Sequence, residues 1–256
     1  METAEILAYI GAAAWLPQII TWLYQAFSRP KLRIIPDKNL SIGFTSNGPI
    51  FNLHMAFSAE NKDALIEQLS VNVTHQDGET HHLVWAGHLE AYQVLGSDSS
   101  LQQTVQKELP PVALKVATSS LVERFVRFQD QDFWDRQREA LTLTIDKQTY
   151  LNKVSKSPSE ELLQSAEFDA LLRVYKNSFW WRPGTYRVHF TALSPNGASL
   201  IERDFHFSLT EHEVEAMRNN LGPVHTDFQN RIFQDDAEYQ QVPVIYYWGN
   251  ARLNPL

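Results

Sequence analysis

Nine histidines and thirty acidic side chains are the groups in this 256-residue chain that could support acid–base or metal chemistry, because it contains no cysteine. His75, His81, His82 and His88 cluster around Asp77 and Glu79, and imidazole with carboxylate suits zinc or iron. Adjacent residues of a strand point to opposite faces, however, which separates His81 from His82. Asp77-Gly78 is itself a turn dipeptide, so the cluster reads as a solvated hairpin and no metal is expected. His212-Glu213-Val214-Glu215 lacks the second histidine of a zinc-protease helix, and with Thr210 it reads as a capping box. Asp130, Asp132 and Asp135 read as solvated surface acids. Glycine-rich phosphate loops, nucleophile elbows and dinucleotide fingerprints are missing from the sequence. No catalytic residue and no cofactor is therefore expected, and an enzyme with a site of unrecognised type stands only as an alternative. Trp180-Trp181-Arg182 is the remaining conspicuous group, either as a partner anchor, since Trp and Arg dominate binding hot spots, or as core packing.

The bulk composition bounds what such groups could serve. Twenty-two basic against thirty acidic residues leave a net charge of -8, and 43% of residues are hydrophobic. That balance excludes disorder. It also argues against broad nucleic-acid binding, which needs a basic stripe to neutralise phosphates. Without cysteine there are no disulfides and no thiolate sites.

The apolar residues are unevenly placed. Ile6 to Phe27 is an uncharged run in which Gln18, Thr21 and Gln25 are the clearly polar positions. As a helix it would be about 33 Å long, close to the roughly 30 Å hydrocarbon core of a bilayer. Glu2 and Glu5 precede it, while Arg29, Lys31 and Arg33 form a basic collar behind it. The reading is a transmembrane or docking helix over 1–29, with the N-terminus outside and residues 30–256 as a cytoplasmic domain at the inner (plasma) membrane. An acidic start and a short apolar stretch before Gly11 make a cleaved signal peptide a poor alternative. Gly11, Ala14, Gln18, Thr21 and Gln25 alternate spacings of three and four, so they share one stripe. Small and polar residues on such a stripe let helices approach and hydrogen-bond, which points to a homo-oligomer.

After Pro30 the apolar period becomes two. Leu32 and Ile34, then Phe51, Leu53, Met55 and Phe57, then Leu69, Val71 and Val73 mark strands, with Leu83 and Trp85 on the return from Asp77-Gly78. A second block sets Tyr186, Val188 and Phe190 against Phe205, Phe207 and Leu209 across Asn196-Gly197. Helices are expected after Ser157-Pro158 and after Thr210, a strand over Ala140 to Ile145, and a strand or buried tail over 242–248.

The segment Arg182-Pro183-Gly184-Thr185-Tyr186-Arg187-Val188 resembles the start of a late strand in immunoglobulin-like sandwiches. There a tyrosine hydrogen-bonds back across the corner. The resemblance implies a mainly β, immunoglobulin-like antiparallel sandwich with helical insertions, behind the N-terminal transmembrane helix. That layout is similar to membrane effectors of bacterial immunity systems. It implies a non-enzymatic, membrane-anchored antiviral-defence protein whose sandwich binds a cytoplasmic protein partner or signal and whose helix contacts the lipid bilayer and self-assembles. The alternative is a soluble structural subunit that docks this helix into a larger complex.

Overall fold

The computed structural model describes residues 15–23, 29–95, 102–234 and 239–256, with residues 90–95 and 102–108 followed by their backbone alone. A short helix, α1 (15–23), leads into β1 (Lys31–Thr45), β2 (Gly48–Glu60), β3 (Ala64–Ile66), β4 (Gln68–His75), β5 (Thr80–Leu95), β6 (Gln102–Leu109), β7 (Leu114–Val116) and β8 (Leu121–Asp130). Three helices follow: α2 (Gln131–Val154), α3 (Pro158–Leu163) and α4 (Ala166–Ser178). The chain returns to strand in β9 (Gly184–Leu193) and β10 (Ser199–Leu209). It then forms α5 (Glu211–Arg218) and α6 (Leu221–Ile232) and ends in β11 (Trp248–Arg252) and β12 (Asn254–Pro255).

The expected period-two runs are strands, and their apolar faces are buried as read. Phe51, Leu53, Met55 and Phe57 are at most 1% exposed, and the inward residues of β4, β9 and β10 line the same core. The sandwich is corrected. One continuous antiparallel sheet runs in the order β11-β1-β2-β8-β5-β4-β9-β10-β12, with β6 on β5, and it curls into a nearly closed barrel. β11 pairs with β1 and β12 with β10, so the C-terminal strand ties the two ends of the sheet together across the single residue Leu253. Bulges between Pro36 and Leu40, Trp85 and Gly87, and Ser199 and Ile201 supply curvature, because an extra residue on one strand bends it and raises its twist. Alternation alone cannot distinguish two stacked sheets from one rolled sheet, since each buries every second residue.

A second core lies between β1 and the helices, around Phe44, Phe133, Phe168, Tyr175 and Phe228. The Tyr175 hydroxyl donates to Ser46 O at 2.6 Å and accepts from Gln137 at 2.9 Å. Buried Asn220 donates to Phe44 O and Tyr247 O and accepts from Tyr247 N. Those bonds fix the helices to the β1–β2 turn and to the C-terminal segment. Residues 140–145 belong to α2 and not to a strand. Phe133, Ala140, Thr144 and Leu151 make its buried face, and Asp130 caps it by accepting Phe133 N at 3.0 Å. A cap plus a helical-period face outweighs a short β-branched alternation. The expected helix after Ser157-Pro158 is broken in two, with Ser165 capping α4, whereas the Thr210–Glu213 capping box forms as read. Residues 242–247 are not a buried strand, for Ile245 is 80% exposed.

The transmembrane reading is also corrected. Among the described residues no helix is long and apolar enough to cross a membrane. The described part of the N-terminal run is residues 15–23, which as a helix spans about 13 Å. Gly11, Ala14 and Gln25 of the proposed stripe lie outside the described residues. With no spanning helix among the described residues and one rolled sheet in place of a sandwich, the likeness to membrane effectors of bacterial immunity loses the features that carried it.

Candidate functional site

Trp180-Trp181-Arg182 leaves α4 and crosses one end of the barrel. Trp181 is fully buried. Its indole N–H donates to Gly43 O at 3.3 Å, and its ring meets Tyr186 and Phe207 edge-on at 5.7 and 6.4 Å. Trp180, partly buried, stacks on His81 with centroids 3.9 Å apart. Arg182 reaches the β4–β5 hairpin, one guanidinium nitrogen on Asp77 and the other on Glu79, each at 2.7 Å. The tyrosine-corner hydrogen bond is present although the sandwich is not. Tyr186 donates its hydroxyl to Arg182 O at 2.8 Å and accepts Arg182 N at 2.6 Å. A corner of this kind needs only a tyrosine one turn beyond a reversing backbone, whatever the sheet does afterwards.

The hairpin is therefore less solvated than its composition suggests. His75 and His81 point inward with Tyr186, whereas His82 lies on the outer face against Asn72 at 2.7 Å. His75 Nδ1 lies 3.0 Å from Asp77, and His81 lies 3.1 Å from Glu79 and 3.9 Å from Asp130. Burial holds the His81 imidazole below its usual value, with Glu79 and Asp130 pulling the other way. The Glu79 backbone N–H, and then His75, draw the Asp77 carboxyl down to about 2. Among the described residues no three His, Asp or Glu are arranged to hold a metal ion. The acids here are already engaged by Arg182, by backbone N–H groups and by the two imidazoles, so the cluster acts as a clasp that closes the barrel end.

Burial pushes the Tyr186 hydroxyl up from 10.0 to about 12, and burial also raises Tyr175. A folded-state value above the unfolded one means the contribution is complete below pH 10 and is lost as pH rises through about 12. Tyr186→Phe removes the corner hydrogen bonds and should cost about 1 kcal/mol at neutral pH. That deficit should shrink between pH 10 and about 12 in paired urea titrations. A deficit constant across that range would contradict the assignment.

The second feature is α1. Trp15, Leu16, Ile19, Ile20, Trp22 and Leu23 are 40–67% exposed. On a helical wheel they fill a continuous arc of about 160°, while Pro17, Gln18 and Thr21 share the other side. Thr21 turns its hydroxyl onto Pro17 O of its own helix at 2.7 Å. Of the stripe read from the sequence, Gln18 and Thr21 thus stand opposite the apolar arc. The basic collar follows, with Lys31 and Arg33 on the exposed face of β1.

No family model matches the chain, and neither a curated protein nor a solved structure matches it.

Sequence reasoning missed the C-terminal closing strand and the Asp130 cap. The cap was legible in principle, as an Asp directly before a helical-period run. The closing strand was not, since its residues Trp248-Gly249-Asn250-Ala251-Arg252 carry no strong alternation.

Proposed function

We propose that the protein is a non-enzymatic assembly subunit: the barrel is the scaffold, and α1 joins copies of the chain through its apolar arc. The observation that carries this reading is the exposure of six large apolar residues on one side of α1. An arc of about 160° is wider than one neighbouring helix can cover, and like helices packed side by side hide such a face efficiently. The polar side formed by Gln18, Thr21 and Pro17 would then face outward. The clasp at Trp180–Arg182 holds the scaffold's shape and is not the contact surface in this reading.

The test is the mass of the full chain in solution. The wild type should form a discrete oligomer whose population rises with concentration. Ile19→Asp together with Trp22→Asp should give monomer with unchanged far-UV circular dichroism. A wild type that stays monomeric at high concentration, or an oligomer that persists in the double variant, would overturn the proposal.

A further inference from the structure

Where β8 passes into α2, the outer face of the sheet carries a cleft of about 280 Å³. Val84 and Ala86 of β5 and Gln129 of β8 line it from the sheet, Trp134 from the first turns of α2, and Pro110-Pro111 from the segment between β6 and β7. The lining is almost entirely apolar. Trp134 follows the buried Phe133 on the helix and is itself 38% exposed, so its ring is open to a ligand. Proline fixes its own φ, which makes the Pro110-Pro111 side a wall formed in advance.

One polar group in this lining is unspent. Phe128 points into the barrel core, so Gln129 points to the outer face. Its cross-strand neighbours there are Val84 on β5 and Ile50 on β2, and neither side chain can hydrogen-bond. Gln129 is only 4% exposed, yet its side-chain amide has no hydrogen-bond partner among the described residues. A buried amide left unpaired is costly, and the cleft is where its donor and acceptor can be met. The other polar groups of the lining are committed. Gln131 turns its amide to Asp135 at 3.5 Å. Asp130 accepts Phe133 N at 3.0 Å, and its second oxygen lies 3.9 Å from His81, so it contributes negative charge beside the cleft. At roughly 30 Å³ each, about nine waters would fill the space, and each needs two to four polar partners. Apolar walls cannot supply them, so displacing this water with an apolar ring is favourable.

We infer that this cleft is a binding site for a small, uncharged aromatic molecule of indole size that carries one N–H donor. The ring lies against Trp134 and the two prolines, and its N–H is donated to the Gln129 amide oxygen. Size sets the first limit. The volume lies just under the range of about 300–1,000 Å³ that takes drug-sized ligands, and nine water volumes correspond to about nine heavy atoms. Shape sets the second, because a flat ring gains offset stacking on an open indole. Charge sets the third: the Asp130 carboxylate disfavours an anionic ligand by like-charge repulsion. α1 does not line the cleft, so ligand binding is independent of the assembly that α1 mediates.

The test titrates the nitrogen-15-labelled full chain with indole, 1-methylindole and indole-3-carboxylate. The NMR cross-peaks of the Trp134 indole N–H and the Gln129 side-chain amide are identified by their loss in Trp134→Phe and Gln129→Leu. Indole should shift both, with a Kd of about 1 mM or lower. 1-Methylindole keeps the ring but not the donor and should bind about fivefold more weakly. Indole-3-carboxylate should bind about tenfold more weakly than indole. In Gln129→Leu, with the remaining spectrum unchanged, indole and 1-methylindole should bind alike. The site is refuted if neither cross-peak moves up to the solubility limit of indole. The ligand class is refuted if the wild type binds 1-methylindole or indole-3-carboxylate as tightly as indole, or if Gln129→Leu still prefers indole to its methylated form.

Discussion

Trp181→Ala should lower the unfolding free energy by about 3–5 kcal/mol, the largest loss expected of any single truncation in this chain. Trp181 is the bulkiest of the fully buried side chains. Its neighbours cannot relax into the space it leaves. Tyr186 is held by two hydrogen bonds to Arg182, and its ring stacks on Phe207 at 4.9 Å. Gly43 O would also lose its indole donor at a buried site. Trp181→Phe keeps most of the volume and should cost roughly half as much. Denaturant titration of both variants decides the point. A loss below about 1 kcal/mol in the alanine variant would show that the barrel end collapses freely and that the clasp does not hold it.

The second large effect is at the β1–β2 turn. Gly48 has φ +75, and a methyl group there would overlap carbons of the Phe133 ring. Left-handed backbone costs an ordinary residue about 1–2 kcal/mol, and overpacking a filled core costs about 1–3 kcal/mol more. Phe133 cannot step back readily, since its own N–H is bonded to the Asp130 carboxylate and its ring packs edge-on against Tyr175. Gly78 supplies the control. It has φ +96 but nothing within 4 Å of the added carbon, so Gly78→Ala carries the backbone strain without the clash. Gly48→Ala should therefore be the worse variant by about 1–3 kcal/mol, read as the difference between two denaturant titrations. Equal losses would place the whole effect in the backbone and remove the packing argument.

The clasp shows how far local pattern reaches. Tyr186 bonds to Arg182, four residues away, and Asp77 bonds to Glu79, so both contacts follow from short-range backbone geometry and were legible as a corner and a turn. The pairing of Arg182 with Asp77 and Glu79 spans more than a hundred residues. It exists because β4 and β9 are hydrogen-bonded neighbours, which sets His75 opposite Tyr186. Nothing in the hairpin alone announces that its acids meet an arginine from the far side of the helical insertion. Residues 140–145 failed for the opposite reason. Their alternation satisfies a strand locally, but the Asp130 cap and the four-helix packing around Phe133 and Tyr175 make the helix. The apolar run at the N-terminus was read as a span on length and hydropathy, whereas the described part presents an amphipathic face.

By itself the sequence determined the chemistry of the surfaces: which faces of which strands are apolar, where the chain turns, and that positive charge gathers at residues 29–33. Periodicity and turn residues act over a few positions, and that is the range over which backbone geometry dictates their outcome. Only the tertiary structure decided that the strands roll into one sheet and that the C-terminal strand joins its ends. Strand order depends on which distant edges meet, and edges are backbone, carrying the same N–H and C=O groups at nearly every residue.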